Sequence, residues 1–174
     1  MQDAAARARA VRLMVFDVDG VLTDGKLYYN DAGEEFKAFG TLDGHGIKML
    51  MASGVKAAII TGRTSGVVTH RAKNLGIEHV RQGVHEKGGA LLELARSLSI
   101  DPAHCGFMGD DVVDLPAMRR CGFAAATQEA PQIVREHAHF VASRPAGTGA
   151  AREVCELIMR AQGTLDAALA PYLA

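Results

Sequence analysis

The sequence predicts a doubly wound α/β fold, one parallel sheet with helices on both faces. Three observations carry that expectation. Short apolar runs alternate with helix-period stretches along most of the chain. The runs are nearly continuous in apolar residues, as strands covered on both faces must be. Acids, a threonine and a lysine follow the ends of several runs, which is where open parallel sheets bind ligands.

The opening MQDAAARARAVR reads as a short helix leading into a strand, Leu13-Met14-Val15-Phe16. The segment Lys26 to Phe39 breaks the alternation: two strand-like runs flank Asn30-Asp31-Ala32-Gly33. Asn, Asp and Gly together signal a turn, so this stretch reads as a protruding β-hairpin. Helix-period stretches follow at Ile47 to Ala52, Ser65 to Leu75, Gly88 to Leu98, Val112 to Arg120 and Pro131 to Glu136. Interleaved with them are strands at Val55 to Ile60, His79 to Gln82, Cys105 to Met108 and Phe123 to Ala126, with Phe140-Val141 as a sixth. Gly54, Gly76 and Gly122 each follow a helix, where a C-terminal cap tolerates glycine. Beyond Gly147 comes a long helix, about Ala150 to Ala161, and then the tail QGTLDAALAPYLA. No linker divides the chain, so residues 1–174 read as one domain, with the hairpin at about 26–39 and the closing helix and tail at about 150–174.

Composition narrows the function. The formal charge is 19 − 20 = −1 and the pI is near 6.6, which removes the basic signatures of nucleic-acid and membrane-surface binders. No apolar run reaches the ~18 residues of a membrane span. The chain opens without an apolar signal region, so a cytoplasmic location is expected. Cys105, Cys121 and Cys155 are odd in number and lack a CxxC pair, which suggests neither a disulfide framework nor a zinc site. They are expected to be buried as small hydrophobes in a reducing compartment.

The chemistry lies at the strand ends. Asp17 and Asp19 close the first strand in FDVDGVLTD. Two carboxylates after a buried strand are costly to keep charged without a partner, and a hard cation such as Mg2+ would supply one. Taken alone, the pair reads equally well as an acidic turn. Thr61-Gly62-Arg63 follows a second strand; a hydroxyl and backbone amides at a helix start make an anion cradle, although Thr61 alone reads as a helix cap. Lys87 opens another helix, and Asp110, Asp111 and Asp114 follow the strand Cys105 to Met108. A parallel sheet gathers these ends. Together they supply a nucleophilic carboxylate, a second acid, a hydroxyl, a cation and metal-binding carboxylates, as phosphoryl transfer through an aspartyl phosphate requires.

The motifs DVDGVLTD (Asp17 to Asp24), Thr61, Lys87 and GDDVVD (Gly109 to Asp114) resemble the haloacid dehalogenase superfamily of phosphohydrolases. The resemblance implies a Rossmann-like fold. It makes Asp17 the nucleophile and Asp19 the acid and base, with Thr61, Gly62 and Lys87 on the phosphoryl oxygens. It places Mg2+ on Asp17, the Asp19 carbonyl and Asp110, with Asp111 and Asp114 supporting. Asp17 to Thr61 is 61 − 17 = 44 residues and Thr61 to Lys87 is 87 − 61 = 26. Neither gap holds a large cap domain, so a capless enzyme is expected, one that acts on a large substrate or borrows a lid from a neighbouring subunit.

The segments GEEFKAF (Gly33 to Phe39), DGHGI (Asp43 to Ile47), ITGR (Ile60 to Arg63), GAAREVC (Gly149 to Cys155) and AQG (Ala161 to Gly163) narrow the resemblance. They are similar to the 3-deoxy-D-manno-octulosonate 8-phosphate (KDO 8-phosphate) phosphatases, which release KDO and phosphate during synthesis of a lipopolysaccharide precursor. That resemblance implies a homotetramer with the hairpins at its centre. It also implies substrate contacts from Asp19, the Gly40-Thr41-Leu42-Asp43-Gly44 loop, Lys48, Arg63 and Arg71. Arginine suits bidentate contact with the carboxylate of a sugar acid. Lys48 and Arg71 read equally well as solvated helix residues. The segment before Gly149, Arg144-Pro145-Ala146-Gly147-Thr148, departs from the glycine-rich pattern usual there. Two other readings compete. A capless phosphatase for a nonulosonate 9-phosphate is disfavoured by Arg63, where such relatives tend to carry Glu. A non-enzymatic phospho-accepting receiver domain is disfavoured by the DxDG pair and the late GDDxxD.

Overall fold

The computed structural model describes residues 2–173; Met1 and Ala174, the ends of the expected 1–174 domain, lie outside the described residues. Helix α1 (Gln2–Arg9) leads into β1 (Leu13–Phe16). The hairpin strands β2 (Tyr28–Tyr29) and β3 (Glu35–Phe36) follow, and then α2 (Thr41–Ala52). The alternation continues through β4 (Lys56–Ile60), α3 (Gly66–Leu75), β5 (His79–Arg81) and α4 (Lys87–Ser97). It goes on through β6 (Cys105–Gly109), α5 (Leu115–Met118), β7 (Phe123–Ala126), α6 (Gln132–Glu136) and β8 (Phe140–Val141). Helices α7 (Ala150–Gln162) and α8 (Leu165–Leu169) close the chain, so the expected tail carries a further helix.

The main sheet has six strands in the order β5-β4-β1-β6-β7-β8, and every pairing in it is parallel. Side chains alternate across a strand, and β1 shows the consequence. Met14 and Phe16 enter one core with residues of α1, α2, α3 and α7. Leu13 and Val15 enter the other with residues of α4, α5 and α6. All four residues are fully buried, each worth about 1.5–3 kcal/mol of transfer free energy. The chain leaves β1 first toward β4 and later returns on its other side through β6. Right-handed crossovers taken in opposite directions cover opposite faces, and the crevice at that reversal is where ligands bind in such sheets.

Four expectations are corrected. Residues Thr41 to Gly46, expected as a loop before a helix at Ile47, form the first turns of α2. Gly44 and Gly46 lower intrinsic helix propensity but permit close packing: a Cβ on Gly46 would lie 2.6 Å from Arg152 Cδ, and one on Gly44 2.2 Å from an Arg71 nitrogen. The stretch Val112 to Arg120 is not one helix but a 3-10 turn, Val112–Asp114, followed by the short α5. Gly122 caps no helix. A Cβ there would stand 1.9 Å from the Ala103 carbonyl oxygen, so close backbone approach is what requires glycine. Gly76 does take the left-handed cap of α3, with φ of 81°. Cys105 and Cys155 are buried as expected, whereas Cys121 is partly exposed.

Candidate active site

The crevice at the C-terminal end of the sheet is lined by Asp17, Asp19, Gly25, Thr61, Gly62, Arg63, Val84, His85, Lys87, Asp110, Asp111 and Val113. Four strand ends therefore converge as the sequence predicted. Asp17 prolongs β1 by donating its amide to the Met108 carbonyl at 3.0 Å, and Thr61 prolongs β4 by donating to the Arg81 carbonyl at 3.0 Å. Between Asp17 and the hairpin the chain winds tightly: the amides of Val21, Leu22 and Thr23 all donate to the Val18 carbonyl. Gly20 sits in this turn at φ +82°, and a Cβ on it would lie 2.0 Å from Asp110 Oδ2. Gly20 thus lets the β1 and β6 loops touch, a role signalled in the sequence only by its place after the DxD.

Lys87, at the start of α4, has a 3% exposed side chain and bridges Asp17 Oδ2 at 2.9 Å and Asp114 Oδ1 at 2.6 Å. Burial would push its ammonium down, but the two carboxylates outweigh burial and leave it raised. Asp114 uses its other oxygen to accept from the Asp110 and Asp111 amides at 3.0 and 3.2 Å. Asp111 caps the same turn by accepting from the Val112 amide at 2.7 Å. These two acids shape the loop that carries Asp110. Burial, with the neighbouring Asp114 charge adding to it, pushes Asp17 up to about 6 despite Lys87. Burial and the charges of Asp114 and Asp17 push Asp110 up to about 8.

Arg63 lies on the crevice rim and is tied to the hairpin. Its guanidinium donates to Tyr29 Oη at 2.8 Å and to Glu35 Oε1 at 2.6 Å and stands 3.7 Å from Asp19 Oδ2. Lys37, also from the hairpin, bonds Asp19 Oδ1. None of Tyr29, Glu35 and Lys37 was a candidate site residue from the sequence, although the period-two alternation of a strand puts Glu35 and Lys37 on one face.

The remaining expected contacts are not in this crevice. Gly40 precedes α2, and its carbonyl accepts from Arg71 at 3.0 Å. Arg71 also lies over the Phe39 ring, so it braces the start of α2 instead of facing the acids. Thr41 and Leu42 are exposed on the first turn of α2, and Gly44 is buried beside Arg71. Asp43, 2% exposed, accepts from the Gly149 and Arg152 amides, both at 3.0 Å, and so holds the start of α7. Lys48, two turns into α2, lines a separate, largely apolar hollow with His45, Met49 and Tyr172. Helical phase carries it away from the strand ends.

Comparison with known proteins agrees with this geometry. Residues 30–122 match the haloacid dehalogenase-like hydrolase family. The chain is 42% identical over 166 residues to the KDO 8-phosphate phosphatase KdsC of Escherichia coli strain K12, covering 95% of this chain and 88% of that one. The chain belongs to the KDO 8-phosphate phosphatase family. The fold of the family is shared throughout. A crystal structure of the Moraxella catarrhalis enzyme, in complex with magnesium ion, phosphate ion and KDO, superposes with a TM-score of 0.97 at 42% identity, covering 99% of each chain. A probable YrbI family phosphatase of Pseudomonas syringae pv. phaseolica 1448a gives 0.98 at 52% identity, over 100% of this chain and 99% of that one.

A divalent cation fits the acids of this family member. Oxygens of Asp17, Asp110 and Asp114 lie within 4.8 Å of one another, an all-oxygen donor set of the kind that hard cations take. Asp17 Oδ1 is buried without a hydrogen-bond partner, and such an atom is costly unless something binds it. Both Asp114 oxygens are already engaged by Lys87 and backbone amides. Asp17 and Asp110 are therefore the better placed ligands, with Asp114 in support.

Proposed function

We infer that the protein is a magnesium-dependent phosphomonoesterase that hydrolyses KDO 8-phosphate to KDO and phosphate in lipopolysaccharide precursor synthesis. The observation that carries this reading is the convergence of Asp17, Asp19, Thr61, Lys87 and Asp110 on one crevice in a chain 42% identical to KdsC. Magnesium, held by Asp17, the Asp19 carbonyl and Asp110, would neutralise charge on the phosphoryl group and on the attacking carboxylate. The Asp17 carboxylate attacks phosphorus, and the bond to the sugar oxygen breaks. Asp19, as the acid, gives that oxygen a proton. The resulting Asp19 carboxylate then takes a proton from water, whose oxygen attacks phosphorus and frees Asp17. Thr61 and Gly62 bind phosphoryl oxygens, and Lys87 adds a fixed positive charge to them and to Asp17.

The crevice volume, about 310 Å3, is at the small end for ligand sites. It suits the phosphoryl end of the substrate, with Arg63 placed to meet the carboxylate of the sugar acid. Thr41, Leu42 and Lys48, exposed on α2, would contact substrate only from a neighbouring subunit, whereas Asp43 and Gly44 are buried within the fold. A homotetramer with shared sites is supported by the exposed Leu27, Tyr28, Tyr29 and Phe36 on the hairpin, since a lone two-stranded hairpin is marginal in water. A phosphate-release panel tests the substrate. KDO 8-phosphate is expected to give the highest kcat/KM, with Mg2+ required and the Asp17→Asn variant inactive. An equal or higher value for a nonulosonate 9-phosphate would overturn the eight-carbon assignment.

A further inference from the structure

We propose that Lys37 is a positioning residue of the reaction: reaching in from the hairpin, it fixes the Asp19 carboxylate so that one oxygen is anchored and the other serves the leaving group. This rests on the reading of Asp19 as the acid and base. The Lys37 side chain is 1% exposed, and it contacts Asp19 Oδ1 and, at 3.4 Å, Glu35 Oε1. A buried ammonium is held in place only by such partners, so Lys37 cannot swing freely and neither can the oxygen it bonds. Among the described residues, Asp19 Oδ2 has a single cationic neighbour, the Arg63 guanidinium at 3.7 Å, which is beyond hydrogen-bond distance. Oδ2 is therefore the oxygen left for proton transfer. Glu35 joins the two cations, bonding Arg63 at 2.6 Å on one side and meeting Lys37 on the other. The hairpin thus completes the crevice of its own chain at the acid as well as at the rim.

The consequence is specific to the first chemical step. An alkoxide needs its proton as the bond to phosphorus breaks, whereas 4-nitrophenolate leaves without one. Loss of a positioned acid must therefore fall on poor leaving groups. The experiment compares kcat/KM, which reports formation of the phosphoenzyme, over a series of aryl and alkyl phosphates for wild type, Lys37→Met, Lys37→Arg and Tyr29→Phe. Lys37→Met is expected to lose at least about tenfold on an alkyl phosphate and under about threefold on 4-nitrophenyl phosphate, a part of the roughly 100- to 10,000-fold that a general acid contributes. Lys37→Arg should recover most of the difference. Tyr29→Phe, which cuts one of the two hairpin bonds to Arg63, should leave the slope against leaving-group basicity unchanged. An equal loss on every ester, or the same steepened slope in Tyr29→Phe, would make Lys37 a mere anchor for the hairpin and overturn the proposal. Should Lys37→Met fail to fold, Lys37→Gln carries the same comparison. Simple esters need no sugar acid, so failure of wild type on KDO 8-phosphate would remove the substrate assignment while this test stands.

Discussion

Asp110 faces two other carboxylates across a gap that a cation fits, and its worth to the protein depends on whether that cation is bound. Without metal, burial and the neighbouring acids hold Asp110 up to about 8, which opposes folding at every pH above the usual carboxylate range, so Asp110→Asn should raise the melting temperature at neutral pH. With Mg2+ the wild type should gain stability by linkage and the variant should gain less. Melting curves with and without Mg2+ check this; the same metal-induced shift in both proteins would remove Asp110 from the ligands. Arg63 makes a different case, because the minimal ester lacks the group it would meet. Arg63→Ala should lower kcat/KM for the sugar acid phosphate by roughly ten- to a hundredfold more than for an aryl phosphate, the worth of a charge-assisted contact of about 1.5–3 kcal/mol. Equal losses would assign it to the phosphate or to the hairpin alone. Asp17, Asp19, Thr61, Lys87 and Asp110 were legible only together: alone each reads as a turn, a cap or a solvated charge, but all follow strands whose ends a parallel sheet gathers. Lys37 and Glu35 were not. On a short strand beside a turn they read as ordinary solvated charges, and only the packed hairpin shows one of them buried on Asp19.

Elements were legible wherever hydrophobic period and length agreed: β1 and β7 occupy the residues expected of them. The start of α2 escaped because its cause is tertiary. Two glycines argue against helix locally, while the neighbouring helices demand them, α3 at Gly44 and α7 at Gly46. Asp43 was read by resemblance as a substrate contact, and the structure gives it a partner of another kind, the N-terminus of α7. Helix starts leave amides unsatisfied, and here a buried carboxylate from a neighbouring helix accepts two of them. Asp43→Ala should destabilise the fold by about 1–3 kcal/mol, the cost of leaving buried donors without acceptors. Urea unfolding measures it; an unchanged midpoint would leave Asp43 free for a binding role alone. The turn at Val112–Asp114 has a similar explanation. Asp111 and Asp114 cap it reciprocally, so the backbone stops there before α5 begins, and an apolar count over Val112 to Arg120 cannot register that stop.

At the scale of the whole molecule, the hairpin presents Tyr29 and Phe36, each 55% exposed, on strands of two residues, and Leu27, 50% exposed, just before the first of them. Phe39, at the end of the hairpin segment, is instead partly buried against the core. Replacing Tyr28 and Phe36 together by Ser should shift the light-scattering mass from the proposed tetramer toward smaller species and lower activity on KDO 8-phosphate more than on an aryl phosphate. A wild type that is fully active at the mass of one subunit would defeat the shared-site reading. The central position of β1 has a consequence of its own. Thr61, Arg63 and Lys87 come from the half of the sheet built before Ser99, and Asp110 and Asp114 from the half built after it. Catalysis in this fold is therefore a coincidence detector. A chain opened at Ser99, a residue at φ 54° in the turn between the halves, should yield two silent fragments. Phosphate release on mixing them would report, turnover by turnover, that the halves have met across β1.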